Sequence, residues 1–390
     1  MTRAVISGIG ESALGNVPEL STMGITLDAG KKAVEDAGLS FRDIDGVILH
    51  PAFGASPRYH IYVTEALGIF CKTLCNTSEM GGASYGAALQ EARWMVESGR
   101  CTNVLILGGE KLRTGHVSGS ALMSQAGPHH LDWEYPWGAT VPAYYALLAR
   151  RYLYEYNLEP SALAEIAVST RKHAHRNPGA TMRDLITVED VLNSRMISDP
   201  LHLLDCSLVS DGAAAYVVSR QSTSKDPSRE VAMLGIGQAQ SYYHVAQLAE
   251  GYGDWDLVHT VIPVAAEQAF GEAGLTRDDL DFIEIYDSFT PTVAVQLEDL
   301  GFCGRGEAGD FVKEGNVDPD GRWPMNTHGG LLSNAHPGAC GGMLAMTEAV
   351  RQIRGEAGGR QVPRHETALV TSVSAVASNF SVTLLGPARA

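Results

Sequence analysis

The sequence lacks the features that mark an exported, membrane-spanning or zinc-stabilised protein. No cationic start precedes an apolar segment, and no apolar run approaches the ~18 residues that span a bilayer. Six cysteines in a chain this long, without an export signal, are expected to be free thiols. Because the sequence has no C-x-x-C pair, we expect no metal site. These absences predict a cytoplasmic protein without a membrane span.

Positive charge is also scarce, because the formal net charge is −16. This acidity opposes nonspecific binding to nucleic acid or to anionic membranes. A polyanionic cofactor would need a local basic patch or a partner chain. An apolar content of 45% and a length of 390 residues are typical of a globular protein with two or three domains.

One motif occurs twice, at Ala33–Asp45 and at Ala269–Asp281. In both copies an alanine-rich helix closes on Ala-Gly-Leu, a hydroxyl residue follows, and Asp-aliphatic-Asp leads into an apolar run. The segment 87–107 has a looser echo in 343–373. The chain is therefore interpreted as two related halves, 1–225 and 226–390, which meet in the polar stretch Gln221–Glu230.

Strand-like apolar runs alternate with helix-like stretches, which indicates an α/β fold. The predicted strands include Ala4–Ile6, Gly46–Leu49, Val104–Leu107, Ala214–Val218, Phe282–Ile285, Ala368–Val373 and Phe380–Leu385. The predicted helices are Leu27–Ala37, Ala87–Glu97, Ile262–Ala273 and Met343–Arg354. A long insertion, 112–204, rich in aromatic residues and histidine, interrupts the first half and is suited to line a substrate tunnel or a subunit interface.

The segment Asn326–Gly338 carries the sharpest chemical signal. Its paired glycines permit a tight turn, and Pro337 suits the first turn of the helix that follows. His336 would then lie at the helix N-terminus, where the dipole favours the neutral imidazole. Such a histidine either acts as a base or hydrogen-bond donor, or merely caps the helix.

This segment resembles the N-x-x-G-G-x-x-x-x-G-H-P motif of thiolases, with Ala335 in place of the last glycine. Leu107–Lys111, Ser210–Ala215 and Tyr286–Phe289 agree in order, and Arg171–Pro178 is similar to the sterol carrier protein x branch, the lipid-transfer thiolases. The resemblance implies a thiolase fold: duplicated βαβαβ-type halves in a layered αβαβα arrangement, with a loop-domain insertion in the first half. It also implies a homodimer.

Thiolases use a cysteine nucleophile, and the alignment places Gly82 at that position. The second thiolase cysteine corresponds to the region of Ser372 and Ser374. Neither position supplies a thiol. Ser84 lies close to the first position but lacks an evident base. Cys340 lies one helical turn beyond His336, where it would either approach the site or serve in packing.

Without a nucleophile, the remaining equipment suits a reaction through an enolate. The resemblance extends to cysteine-less thiolase-like steroid aldolases, which carry tyrosine at the position of His336. We therefore expect retro-aldol cleavage of a bulky β-hydroxyacyl-CoA. In this hypothesis Tyr286 removes the hydroxyl proton, while His336 with backbone donors at Gly82 and Ser374 stabilises the enolate. The two assignments could be reversed.

Coenzyme A enters this hypothesis as a thioester substrate, with no prosthetic group bound. Arg171, Lys172 and Arg176 are candidates for its phosphates, since arginine pairs well with phosphate, but they could equally form a solvated helix face. The family resemblance adds a small partner with an oligonucleotide-binding-like fold and a zinc ribbon. Two alternatives stay open: an acetyl-CoA C-acyltransferase that uses another nucleophile such as Cys340, and a non-catalytic lipid-binding or scaffold subunit.

Overall fold

The computed structural model describes residues 3–52, 55, 58–115, 132–242, 244–251 and 253–388. In chain order the first half contains β1 (Ala4–Glu11), α1 (Thr22–Asp36), β2 (Gly46–His50), α2 (Tyr59–Leu67), β3 (Leu74–Thr77), α3 (Ser84–Glu97), β4 (Asn103–Lys111), α4 (Val141–Glu155), α5 (Ser161–Arg176), α6 (Val188–Asn193), β5 (Met196–Ser198), β6 (Leu201–His202) and β7 (Asp211–Arg220). The second contains β8 (Val231–Gln240), α7 (Val245–Glu250), α8 (Ile262–Ala273), β9 (Phe282–Glu284), α9 (Thr290–Asp299), α10 (Ala308–Lys313), α11 (Gly341–Ile353), β10 (Ala368–Ser374) and β11 (Asn379–Pro387).

The repeated motif folds in the same way in both halves. Gly38 and Gly274 end their helices in the left-handed region, with φ of 68° and 65°. A capping box follows each glycine, from Ser40 to Asp43 and from Thr276 to Asp279. In each half the repeated motif therefore ends a helix, forms a tight turn and leads into the next strand.

The strands confirm the duplication. The order β3-β2-β4-β7-β1 continues as β8-β11-β10-β9, and the two series join through a short antiparallel pairing of β1 with β8. In each half two parallel strands, β2 with β4 or β9 with β10, are followed by two antiparallel neighbours. Apart from the added β3, the halves share one topology.

Helices α3 and α11 form the middle layer, because each packs against strands of both halves. Helix α1 covers the outer face of the first half, and α8 covers the outer face of the second. The result is the predicted αβαβα layering, in which the first turn of α11, at Gly342, lies against Gly82 just before α3.

Strand β8 was not predicted, because glycines interrupt its apolar pattern. A Cβ on Gly235 or Gly237 would overlap backbone carbonyls of α8, at Ala269 and Ala265. Gly8 and Gly10 of β1 meet α1 in the same way. A Gly-x-Gly under each outer helix is thus a further repeated signature, and it would have identified β8.

The insertion is largely helical where it is described; residues 116–131 lie outside the described residues. Helices α4 and α5 pack against α9 and α10 of the second half. The connection 221–230 lies between β7 and β8, while the division into domains at residue 225 stays a prediction. Among the described residues, no helix is long and apolar enough to cross a membrane.

Candidate active site

Tyr286 is held in place by its backbone rather than by its hydroxyl. Its N–H donates to Thr371 Oγ1 (2.9 Å) and its carbonyl accepts from Gln296 Nε2 (2.8 Å). Thr371 Oγ1 in turn donates to Gln296 Oε1 at 2.7 Å. This closed set of bonds fixes the backbone of the segment after β9, from which the phenol extends.

The phenol of Tyr286 lies against Gly82, just before α3. A Cβ built on Gly82 would stand 2.6 Å from Tyr286 Oη and 2.8 Å from Cζ, and it would also overlap the Val373 carbonyl oxygen. Real Cβ atoms do not approach other atoms so closely. The predicted nucleophile position is therefore occupied by Tyr286, and residue 82 must be glycine while that tyrosine stays in place.

The two alternative nucleophiles are engaged elsewhere. Ser84 Oγ accepts from the Met80 N–H (2.6 Å) and donates to the Gly81 carbonyl (2.7 Å), so it closes the turn before α3. Cys340 is fully buried, and the Tyr85 hydroxyl donates to its Sγ at 3.1 Å. Burial raises the pKa of the Cys340 thiol well above its ordinary value, which keeps it protonated.

The His336 ring lies edge-on to the ring of Tyr286, with ring centroids 6.3 Å apart and planes at 89°. Ser207 Oγ lies 2.6 Å from Nδ1, and Ser210 Oγ accepts the His336 N–H at 3.2 Å. The ring is largely but not wholly enclosed, and burial lowers its pKa to about 4. The imidazole is therefore neutral at neutral pH, as expected, although burial is the cause.

The expected helix start after His336 is wrong. A 3₁₀ turn, Gly338–Cys340, comes first, and α11 begins only at Gly341. Pro337 therefore precedes the helix instead of lying in its first turn. Gly341 is needed because a Cβ there would stand 2.7 Å from His336 Cδ2.

Ser374 ends β10 beside the turn that contains Gly82. Its Oγ overlaps the place where a Cβ on Gly81 would stand, and the Gly82 carbonyl oxygen lies 3.0 Å from a Cβ built on Gly342. The structure thus brings Tyr286, His336, Gly82 and Ser374 together at the junction of the two halves.

The three basic residues of α5 do not form a free cationic face. Arg171 is buried, with Nε donating to Ser333 Oγ (2.9 Å) and an Nη atom to the Asp184 carbonyl (3.0 Å). The expected role in phosphate binding is corrected for this residue, because its guanidinium is enclosed and already bonded to Ser333, in the segment Asn326–Gly338, and to Asp184.

Lys172 and Arg176 are more exposed, but both are paired. Lys172 Nζ lies 2.6 Å from Asp318 Oδ2, and Arg176 Nη2 lies 2.8 Å from Asp320 Oδ2. Exposed ion pairs are weak, so a phosphate can compete for these side chains. Their contact with coenzyme A stays a prediction.

Asp287 belongs to the motif Tyr286–Phe289, but the sequence predicted no role for it. Its carboxylate accepts the N–H groups of Leu331 (2.7 Å) and Leu332 (3.3 Å), and burial raises its pKa to about 6. A Cβ on Gly330 would overlap this carboxylate. Asp287 therefore joins the two recognised motifs directly, which explains Gly330; a Cβ on its neighbour Gly329 would instead overlap Ala174 of α5.

Tyr145 of the insertion also lies at the site, and sequence reasoning missed it. Its ring stacks on Phe289, with centroids 4.3 Å apart, and its hydroxyl donates to the Ala375 carbonyl at 2.6 Å. The many aromatic residues of the insertion gave no reason to select this one, since its neighbour across the site is 230 positions away.

Buried His173 provides a pH test of the fold around α5. Its Nε2 lies 2.8 Å from the Val317 carbonyl oxygen, and burial lowers its pKa to about 4. The pKa of histidine in the unfolded chain is near ~6.5, so between pH 6.5 and pH 4 the unfolded chain binds more protons than the folded protein. The free energy of unfolding therefore falls as the pH drops from about 6.5 towards 4. We expect His173 to cost about 2 kcal/mol on going from neutral pH to about pH 5. Urea titrations of wild type and His173→Gln should show this difference in pH dependence; equal dependence would contradict it.

Fold and site together define a thiolase-fold protein in which Tyr286 packs against Gly82, the position predicted for the nucleophile. The family of the thiolase N-terminal domain matches residues 2–222, and the thiolase C-terminal domain-like family matches residues 249–387. This chain belongs to the thiolase superfamily, in the branch that contains steroid side-chain-cleaving aldolases and the thiolase-like sterol carrier proteins.

Relatives of two activities are similar to this chain. The steroid side-chain-cleaving aldolase of Thermomonospora curvata is 35% identical over 90% of both chains. The acetyl-CoA acetyltransferase of Methanothermobacter thermautotrophicus is 32% identical over 98% of this chain and 99% of its own. The solved Ltp2-ChsH2(DUF35) aldolase superposes with a TM-score of 0.85 at 32% identity, covering 99% of this chain and 98% of that one. The sequence identities to the aldolase and to the acetyltransferase are similar, so the residues of the site must distinguish between the two activities.

Proposed function

We propose that this protein cleaves the Cα–Cβ bond of a β-hydroxyacyl-CoA by a retro-aldol reaction, without an acyl-enzyme. The contact between Tyr286 and Gly82 carries this proposal, because it leaves no room for a side chain at the nucleophile position. Acyl transfer requires such a nucleophile. Retro-aldol cleavage requires instead a base and donors for the enolate oxygen, which Tyr286 and its neighbours supply.

Burial favours the reverse of the first role assignment. It raises the pKa of Tyr286 well above that of an ordinary tyrosine, so this residue stays protonated and is unsuited to remove a proton. A protonated phenol is a hydrogen-bond donor. His336 is neutral, so one of its ring nitrogens carries no proton and can accept one; its lowered pKa makes it a weak base that readily returns the proton.

In the proposed mechanism His336 accepts the proton of the β-hydroxyl group. The Cα–Cβ bond breaks, its electron pair forms the thioester enolate, and a ketone or aldehyde is released. The phenol of Tyr286 and backbone N–H groups at Gly82 and Ser374 donate to the enolate oxygen. His336 then returns its proton to Cα, so that the enzyme is unchanged and the second product is a shortened acyl-CoA.

An acyltransferase is the second candidate, because acetyl-CoA acetyltransferases are among the relatives. It would need a thiolate, and the buried thiol of Cys340 is held protonated beside Tyr85. A non-catalytic subunit is the third. The four residues that meet at the junction of the halves favour a catalytic protein over a non-catalytic one that has only kept the fold.

The substrate that fits this proposal is a coenzyme A thioester with a bulky, steroid-like or aromatic side chain, since the aldolase relative is named for steroid side-chain cleavage. We also retain a homodimer and a small partner chain with an oligonucleotide-binding-like fold and a zinc ribbon. The name of the Ltp2-ChsH2(DUF35) aldolase, which joins two components, supports a partner.

His336→Ala is expected to lower kcat by about 10²–10⁴-fold with little change in KM, because the proton acceptor is lost after substrate has bound. Ser207→Ala, which removes the hydroxyl 2.6 Å from Nδ1, should have a smaller effect of about tenfold on kcat. Steady-state kinetics on folded variants decide the matter. Wild-type kcat in His336→Ala would reject the mechanism.

The function is tested by supplying β-hydroxyacyl-CoA thioesters with steroid-like, aromatic and short side chains, with and without a co-purified partner. Mass spectrometry should detect a ketone or aldehyde and a shortened thioester in equal amounts. No cleavage of any substrate in the presence of the partner would overturn the proposal and favour the scaffold interpretation.

A further inference from the structure

The loop that joins β10 to β11 contains two alanines in a backbone conformation that alanine avoids. Ala375 and Ala377 have φ of 52° and 55°. In this left-handed region an L side chain crowds the following carbonyl, and glycine or asparagine is the usual occupant. Non-glycine residues remain there only where surrounding contacts impose the conformation, and such strain concentrates at functional sites.

The contacts that impose the conformation come from three directions. Ser378 N–H donates to the Ser374 carbonyl (3.3 Å), which closes the loop across its base. Ser241 N–H donates to the Ser378 carbonyl (2.7 Å), which holds the far end. The near end is held from the insertion, where the hydroxyl of Tyr145 donates to the Ala375 carbonyl at 2.6 Å.

The base of this loop touches the catalytic groups. The Val373 carbonyl and Ser374 Oγ pack on Gly82 and Gly81, and Gly82 packs on the phenol of Tyr286. The ring of Tyr145 stacks on Phe289, three residues after Tyr286. Tyr145 therefore contacts both the strained loop and the segment that carries the proposed oxyanion donor.

We propose that Tyr145 is a positioning residue that clamps the loop 374–378 against Gly82 and so couples the insertion to the geometry of the active site. The clamp fixes one peptide plane: because the peptide is planar, holding the Ala375 carbonyl also fixes the Val376 N–H on its other side. Loss of the hydroxyl frees both alanines to leave the left-handed region, which shifts the donors at Ser374 and Gly82. This role rests on the proposed function.

Tyr145→Phe tests the clamp, because it removes the hydroxyl and retains the ring that stacks on Phe289. Tyr156→Phe is the matched control, since Tyr156 also belongs to the insertion and its hydroxyl lies 3.1 Å from His259 Nε2, outside the group of residues that meet at the site. Tyr145→Phe should lower kcat about tenfold and change KM less than about twofold. Tyr156→Phe should lose thermal stability at unchanged kcat.

Ala375→Gly separates a clamp from simple packing. Glycine adopts the left-handed conformation without strain, so in this background the loop needs less restraint. The loss of kcat caused by Tyr145→Phe should shrink to about threefold or less when Ala375→Gly is also present. An equal loss in both backgrounds would overturn the clamp.

Hydrogen exchange of the loop amides gives a readout that needs no turnover. Tyr145→Phe should speed exchange at 375–378 and leave β10 and β11 unchanged, whereas unchanged exchange there would contradict the inference. If the wild-type enzyme cleaves no substrate, the proposed function is rejected. The hydrogen-exchange result would still test the clamp, because it does not depend on turnover.

Discussion

Tyr286→Phe is expected to lower the rate of carbon–carbon cleavage by about 10²–10³-fold while the protein stays folded. The variant removes only the phenol oxygen, which donates to the enolate in the proposed mechanism. The backbone bonds from Tyr286 to Thr371 and Gln296 do not involve that oxygen, so the segment keeps its position. KM should change little, because the lost interaction strengthens only as charge develops.

The control for this result is again Tyr156→Phe, which removes a hydroxyl of the insertion that lies 3.1 Å from His259 Nε2. It should lose stability by about 1 kcal/mol and retain the wild-type rate. A Tyr286→Phe enzyme with wild-type kcat would show that the phenol takes no part in the chemistry. Because the pKa of Tyr286 is raised, the wild-type pH profile should show no loss of rate from tyrosine ionisation near neutral pH.

Gly82→Cys, which would restore a thiolase nucleophile by sequence, is expected to fail as a thiolase and to destabilise the protein. The new Cβ would stand 2.6 Å from Tyr286 Oη, and it would overlap the Val373 carbonyl, which belongs to the backbone and cannot rotate away. We expect a loss of about 3 kcal/mol, at the upper end of overpacking effects. Denaturant unfolding and intact-mass analysis after incubation with acetyl-CoA measure the two outcomes.

Gly271→Ala provides the matched glycine substitution. Gly271 lies in α8, and a Cβ there meets no atom within 4 Å. Alanine should stabilise this helix by about 0.5–1 kcal/mol. A Gly82→Cys protein with wild-type stability that forms a stable acyl adduct would show that Tyr286 can move aside at little energetic cost. That result would contradict the argument against acyl transfer.

The sequence predicted the fold well because duplication left local signals. Gly38 and Gly274 are required by their left-handed conformations, and the capping boxes that follow them depend on residues three positions apart. Such patterns are readable without a structure. The missed strand β8 also carried a signal, the Gly-x-Gly that lets α8 approach, but it disrupts the apolar alternation by which strands are recognised.

The site was predicted in part, because motifs identify positions but not environments. Gly82, Tyr286, His336 and Ser374 do converge. The burial that raises the pKa of Tyr286, on which its proposed role as a donor rests, comes from a core cluster of residues that are distant in the sequence. The enclosure of Arg171 by Ser333 and Asp184 likewise arises from contacts that sequence spacing does not reveal.

The most direct test of the account is a single-turnover reaction of excess enzyme with a bulky β-hydroxyacyl-CoA in the absence of free coenzyme A. Retro-aldol cleavage needs no thiol acceptor, so we predict one ketone or aldehyde and one shortened acyl-CoA per substrate, with the protein mass unchanged throughout. A covalent acyl adduct on the protein, or cleavage that begins only when free coenzyme A is added, would contradict the account.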